Sequence, residues 1–404
     1  MPQLLNVDVV VVGAGPVGGA LTCLLAAGGA SVAVIDRAAL PPMENPDFDG
    51  RAYAIAAGSR HVLRDAGLWD ALPFPPGPIQ DIRVSDGRVG QRASPLFLHF
   101  DAAEAGEEAF GWMVEARSLR MALNRTLPSL PGVSIFAPAE AAVTRDENGA
   151  LVTIAGGPTI ACRLVVSAEG RDSRLRAEAG IAVTRYGYGQ TGIVGAIAHE
   201  RPHHGTALEH FLPAGPFAQL PMAGTEGAPY LSAFVWTERD ATARRVLALD
   251  DAAFARALQR RLGDHLGTAR PKGRRWSYPL GALHAHRYYA TRLALVGDAA
   301  HGIHPIAGQG LNLGFRDARA LAARVTAAIA GNRDPGEDAL LRAYQGDRRP
   351  DNLLMLAATD LLDRLFSTDA APVRLARDLG IAAVHRLPPL KRLFMRRAMG
   401  ALTG

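Results

Sequence analysis

The spacing of apolar and polar positions changes several times along the chain, and the changes sketch its elements. Residues 7–12 are valine throughout except for Asp8. A continuous apolar run of this kind predicts a buried parallel strand. The run stops at GAGPVGG, helical residues follow to about Ala27, and residues 31–35 predict a second strand ending in Asp36. Residues 164–167 and 293–296 are two more short apolar runs. The first ends at Glu169 and Gly170, the second at Gly297 and Asp298. Residues 141–145 and 150–154 alternate around the turn DENG and predict a hairpin. Residues 184–230 are short alternating runs broken by Gly and Pro, which predicts an antiparallel sheet. Residues 82–100 are strand-like and turn-rich, and PFPPGP at 73–78 marks a boundary before them, since it suits neither a helix interior nor a central strand. Helical spacing predicts a helix after Arg51 with Ile55, Leu63 and Leu68 as its apolar positions. Further helices are predicted from Arg117 and over 246–262, 311–330, 340–366 and 373–386.

The first strand, loop and helix carry chemistry. Gly13, Gly15 and Gly18 fit G-x-G-x-x-G, with Pro16 between them. Gly13 permits the tight turn, Gly15 lets a pyrophosphate approach the backbone, and Gly18 lets helix pack on strand. Asp36, followed by Arg37, falls where a ribose hydroxyl would be bound. This fingerprint predicts a dinucleotide but does not separate FAD from NAD. The stretch from Arg292 to Leu321 repeats the logic, with an acid at the strand end and glycines before a helix start. Such a loop brings N–H groups and a positive helix end to an anionic or electron-rich ligand.

Gly297, Asp298, Ala299, Ala300, His301, Pro305, Gly308, Gln309, Gly310 and Asn312 resemble the second flavin motif of the FAD-dependent aromatic hydroxylases. Gly170, Ser173 and Arg176 match the third signature of that family, where Glu169 stands in place of the usual Asp. Arg51 and Arg117 stand where the family has arginines near the flavin. Tyr188, Gln190, Phe211, Pro216 and Leu220 resemble the ubiquinone-biosynthesis branch, within the para-hydroxybenzoate-hydroxylase-like monooxygenases. The resemblance spans nearly the whole chain. It implies an α/β fold, with a Rossmann-like FAD-binding domain of the glutathione-reductase kind over 1–80, 101–180 and 285–404, including C-terminal helices. A β-sheet substrate domain is implied over 81–100 and 181–284. It also implies that Asp298 binds the ribityl chain, that Gly308, Gln309, Gly310, Leu311 and Asn312 lie by the flavin ring, and that the backbone at Pro305 walls it. The implied cofactors are FAD and, as transient reductant, NAD(P)H. The implied reaction uses O₂ through a flavin C4a-hydroperoxide to hydroxylate a polyprenylated phenol in ubiquinone biosynthesis. Another phenolic metabolite, or a non-catalytic scaffold subunit of a quinone-biosynthesis complex, are the alternatives. A flavin halogenase is disfavoured, because the four tryptophans never form W-x-W-x-I-P and no lysine precedes Lys272.

Composition adds limits. The chain has 404 residues, 48% hydrophobic and 21% charged, enough for a large core. The net charge of +5 is almost all arginine and forms no basic stripe with interleaved aromatics, so nucleic acid is not expected. The two cysteines, Cys23 and Cys162, form no metal spacing and no disulfide framework, which suits a reduced cytoplasm. Residues 9–35 carry no charge, but their glycines suit a turn better than a membrane span. The terminal RLPPLKRLFMRRAMG interleaves Lys and Arg with Leu, Phe and Met. It reads equally as a packed helix or as a peripheral contact with the inner membrane or a partner.

Overall fold

The computed structural model describes residues 4–40, 49–87, 89, 97–366, 395 and 399. The expected loop over 41–48, the expected helix over 373–386 and most of the basic terminal stretch lie outside the described residues. Eight α-helices lie among those described: α1 (Pro16–Ala27), α2 (Ala57–Asp65), α3 (Ala116–Thr126), α4 (Arg174–Glu178), α5 (Asp240–Leu247), α6 (Asp251–Leu262), α7 (Gln309–Ala330) and α8 (Asp338–Phe366).

The valine run forms the strand Leu4–Val12. It pairs in parallel with Val32–Ile35 on one side and Thr159–Ser167 on the other. Val133–Phe136 and Leu293–Leu295 extend the parallel set outward. The hairpin Ala141–Arg145 and Ala150–Ile154 and the short strand Tyr289–Ala290 complete eight strands. Valines 9–11 and 165–166 are fully buried, as expected where helices cover both faces of a parallel sheet. Residues 9–35 are therefore strand, helix and strand. Among the described residues no helix is long and apolar enough to cross a membrane.

A second eight-stranded sheet runs His301–Gly302, Ala269–Ala285, Val183–His199, Leu231–Arg239, Gly215–Met222, Thr206–Leu212, Asp81–Asp86, Phe97–Asp101. It is antiparallel except where Asp81–Asp86, arriving from early in the chain, joins Thr206–Leu212 in parallel. α5 and α6 cover one face through Phe217, Phe234, Trp236 and Phe254.

Two expectations are corrected. Ile55 belongs to a strand, Ala52–Ala56, and α2 begins only at Ala57. The strand pairs with Gly111–Glu115, which also takes the edge strand Gly77–Ile79. The run AYAIA is too alanine-rich to declare itself, and a partner far along the chain decides it. The helix over 246–262 is broken in two, because the Asp250 carboxylate accepts the Ala253 N–H at 2.7 Å and starts α6 afresh.

Candidate active site

Register brings the glycine junctions together. Val12 pairs with Ile35 and with Ser167, and Ser167 pairs with Leu295. Four parallel strands therefore end level, and Gly13, Asp36, Glu169 and Asp298 leave one edge of the sheet. In an open parallel sheet this carboxyl edge is where ligands bind.

The glycines show which approaches are closed and which are open. A Cβ on Gly13, at φ +109°, would lie 2.4 Å from the Ala168 carbonyl oxygen, and one on Gly18 would lie 1.9 Å from that of Gly13. A Cβ on Gly314 would meet Val17 at 2.5 Å, and one on Gly28 would meet Thr326 at 2.2 Å. α1 and α7 thus touch near both their starts and their ends, so they run side by side in one direction. Both N-termini face the same edge. Neither start has a side-chain cap or an acid in its first turn, which leaves N–H donors and a positive helix end unanswered there. A Cβ on Gly15 or Gly310 would meet nothing within 4 Å. The backbone is open where a pyrophosphate and a flavin ring would come closest, and FAD fits this cradle.

The acids and arginines are distributed as follows. Asp36 accepts the Ala14 N–H at 2.7 Å and the Ala38 N–H at 2.9 Å, tying strand end to fingerprint turn, and Arg37 is exposed beside it. Asp298 pairs with Arg171 at 3.1 Å, and Arg171 also donates to the Gly281 carbonyl at 3.0 Å. Arg176 is buried and donates to the carbonyls of Ala299 and Arg171, linking the third junction to the second. Glu169 folds back. Its Oε2 accepts from Ser167 and Ser173 Oγ at 3.0 and 2.8 Å and from the Leu175 N–H at 3.0 Å. The extra methylene serves its own loop and the start of α4.

Arg51 forks onto Asp49 at 2.9 and 2.6 Å and stacks 4.3 Å from the Trp276 ring centre. Arg117 is buried against Glu115 at 2.5 Å and stacks over Phe74. One turn further along α3, Arg120 donates to the Ala14 carbonyl at 2.8 Å and feels the charge of Asp36. Arg120, three residues beyond Arg117, is thus bonded to the fingerprint turn itself.

Asn312 is spent on backbone: Oδ1 accepts the Ala56 N–H, and Nδ2 donates to the carbonyls of Ala54 and Gly308. Its side chain straps α7 to the strand Ala52–Ala56. Leu311 packs on the cluster under α2, and Gly308 takes a left-handed φ of +61°. Gln309 is buried at the start of α7. Pro305 begins the turn Ile306–Gly308.

Behind this loop lies a polar knot. Tyr188 packs edge-on against His304 at 4.9 Å, and Gln190 Oε1 lies 3.3 Å from His304 Nε2. Gln190 Nε2 reaches the Ala214 carbonyl and Asp363 of α8. Gln190 is thus engaged at both ends and pins the residue before Pro305. Burial pushes the His304 imidazole down to about 4. Unfolded His304 would take a proton near its ordinary 6.5 while the folded residue resists until about 4, so stability is present above 6.5 and lost as pH falls between the two. The loss is expected to reach about 3 kcal/mol, offset in part by Asp363, whose carboxyl burial pushes up. Urea unfolding from pH 7 to 4 checks this, and His304→Gln should flatten the slope.

A fully buried acid that the sequence reading missed anchors the second junction. Asp317 of α7 accepts the Gly297 N–H at 3.0 Å, approaches His301 Nε2 at 2.5 Å, and accepts from Arg348 and Asn352 of α8 at 2.9 and 3.2 Å. Burial raises its pKa, but His301 and Arg348 outweigh this and hold it at about 2. The available signal was a carboxylate at i+4 from Leu313 and i−4 from Leu321, on the apolar stripe of α7.

The second sheet turns an apolar face toward these loops. Leu220, Ala207, Ala233, Met222 and Phe100 cluster with Ala54, Met113, Met395 and Met399, and Phe211 packs on Ile306. Phe211 and Leu220 therefore share the face that covers the flavin loop. Cys23 and Cys162 are buried, and burial pushes both thiols up to about 12, too high for a thiolate at neutral pH.

Known proteins agree with this architecture. The profile of the FAD binding domain family matches residues 6–358. The ubiquinone hydroxylase UbiL of Rhodospirillum rubrum is 53% identical over 396 residues, 98% of this chain and 90% of its own length. The 3-demethoxyubiquinol 3-hydroxylase of Escherichia coli is 33% identical over 397 residues, 97% of this chain and 98% of its own. The p-nitrophenol 4-monooxygenase PnpA of Pseudomonas putida has the same fold, with a TM-score of 0.77 over 99% of this chain and 100% of its own, at 19% identity. The strand-end cradle and its covering sheet are those of an FAD-dependent flavoprotein monooxygenase. Within that class the chain belongs to the ubiquinone-biosynthesis hydroxylase family.

Proposed function

We propose that this chain adds one oxygen from O₂ to the aromatic ring of a polyprenylated phenol, a quinone precursor, with NAD(P)H as reductant. The observation that carries the reading is the convergence of three glycine-and-acid junctions beneath an apolar sheet face. Bound FAD supplies the redox and oxygen-activating chemistry. The protein's own residues position and shield. The uncapped start of α1 and Arg120 face the pyrophosphate, and Asp36 the ribose. The ribityl chain falls to Asp298, and the start of α7 with Gly308 and Gly310 meets the electron-rich side of the ring. Pro305, pinned through His304 and Gln190, walls the ring. Residues 81–100 and 181–284 act as the substrate domain. Their apolar face, with Phe211 and Leu220, excludes water from the reacting centre and receives the isoprenoid tail. Met395 and Met399, each 2% exposed, belong to the same apolar cluster. The basic residues that flank them in sequence, and separately the exposed Leu354 and Leu361 of α8, suit peripheral contact with an anionic membrane.

Cells lacking the chain are expected to accumulate a quinone precursor short of one oxygen, read by mass spectrometry. An unchanged quinone pool would end this reading.

A further inference from the structure

A carboxyl that plays no part in the cofactor cradle stands on the covering sheet. Glu209 lies in the strand Thr206–Leu212, midway between Ala207 and Phe211. Side chains alternate along a strand, so these three point the same way. Ala207 belongs to the apolar cluster with Leu220 and Met113, and Phe211 packs on Ile306 of the flavin loop. Glu209 is paired across the sheet with Ala218 on one side and Val84 on the other, so its flanks are apolar too. The opposite face of this strand carries His210, which bonds Ser85. Among the described residues no hydrogen-bond or ion-pair partner reaches the Glu209 carboxyl, whose pKa answers to burial alone.

The titratable groups on the neighbouring elements are engaged elsewhere. Asp86 lies beside Phe211 on the adjacent strand and bonds the Gly87 N–H. His304 and Asp363 face each other at 3.7 Å. Glu115 is held by Arg117. Glu209 is half-buried, and a carboxyl without a partner among apolar neighbours is one that a ligand hydroxyl can answer.

We propose that Glu209 is the proton acceptor for the substrate phenol. Its carboxylate takes the hydrogen bond of the ring hydroxyl and then the proton. The O–H bond breaks, its electron pair stays on the phenol oxygen, and the carboxyl becomes neutral. No electron is transferred in this step. The phenolate is the more electron-rich ring, and it is the form that accepts electrophilic oxygen. Burial pushes the Glu209 carboxyl up to about 7. That narrows the gap to a phenol near 10, where an ordinary Glu near 4.3 would be a poor base. The inference rests on the phenol reading given above and deepens it by naming the group that ionises the substrate.

The test uses full-length, FAD-loaded protein with the variants Glu209→Gln and Glu209→Asp and a short-chain prenylphenol. For the wild type, kcat/KM for product should rise with pH through an inflection near 7. Glu209→Gln should lower kcat by about 100-fold and abolish that inflection, and Glu209→Asp should restore part of both. A second readout is independent of turnover. Removing an unpaired carboxylate should raise the Tm of Glu209→Gln above wild type at pH 8, by about 5 °C, and far less at pH 4.5, where the folded group is neutral and the unfolded one only about half ionised. A Glu209→Gln variant that keeps the inflection and makes product at the wild-type rate overturns the proposal and leaves the phenol reading standing. Wild-type protein that makes no hydroxylated phenol at any pH overturns the parent reading and this inference with it.

Discussion

Gly18→Ala is expected to leave the chain unable to hold FAD, and Gly15→Ala to leave it folded but weakly loaded. The two glycines lie three residues apart in one fingerprint, and their surroundings differ. The Cβ of an alanine at 18 would sit 1.9 Å from the Gly13 carbonyl oxygen and 2.9 Å from the Ala168 Cβ. The first is backbone in a turn that also holds Ala14 to Asp36, so relief requires the helix to lift from the strand. Overpacking of this kind costs about 3 kcal/mol or more. The protein should purify colourless, with a lowered Tm even without cofactor. At 15 the backbone is ordinary, with φ −64°, and the added Cβ meets no protein atom within 4 Å. Stability of the apoprotein should change by less than about 1 kcal/mol, because no contact is lost or forced. The methyl group would instead stand where the pyrophosphate must approach, and FAD affinity should fall at least tenfold, about 1.4 kcal/mol. Flavin content by absorbance and thermal unfolding of stripped protein separate the cases. A Gly15→Ala protein that binds FAD as wild type does would remove the pyrophosphate from this turn.

Asp317→Ala should be the most destabilising single substitution in the site, although Asp317 has no place for a ligand. It is 0% exposed, and its two oxygens serve the Gly297 N–H, His301, Arg348 and Asn352. Truncation leaves a void beside His301 and Arg348 and leaves Asp351, at 2.9 Å, as the remaining carboxylate on Arg348. Breaking one side of a buried pair costs about 3–5 kcal/mol. A fall in Tm of about 5 °C is expected for a chain of this size. Flavin should be lost as well, because the Gly297 turn that presents Asp298 would lose its tether. Asp317→Asn keeps the volume and one acceptor and should do less harm to the fold than to flavin retention. The pH dependence has a definite sign. With a folded pKa of about 2 against the ordinary 3.8, the stability from Asp317 is complete above about 4 and is lost as pH falls toward 2. Acid unfolding of wild type and Asp317→Asn should therefore converge at the lowest pH. Curves that stay parallel to pH 2 would contradict the assigned role.

The parallel sheet was legible because its strands announce themselves locally. A valine run broken only by Asp8, a glycine turn and a terminal acid each state their role within a few residues, and the hairpin around DENG did the same. The covering sheet was legible as antiparallel texture, but its one parallel pair was not, because Asp81–Asp86 finds its partner across more than a hundred residues. The strand Ala52–Ala56 was hidden for the same reason, since alanine and tyrosine carry little signal until Gly111–Glu115 lies beside them.

In the site, spacing within one segment determined that Gly13, Gly15, Gly18, Asp36, Gly297, Asp298, Gly308 and Gly310 stand at strand ends and helix starts. Only the tertiary structure decided that those ends are level, that α1 and α7 point the same way, that Arg120 reaches the fingerprint, and that the side chains of Asn312 and Glu169 are spent on the protein itself. Asp317 and Glu209 show the difference most plainly. Each is one acid in an apolar pattern, which sequence periodicity registers as an irregularity. Whether such a carboxylate is answered by an arginine from another helix or left facing an apolar space depends on packing between distant segments. That packing fixes the dielectric surroundings and partners of each group, and with them its charge.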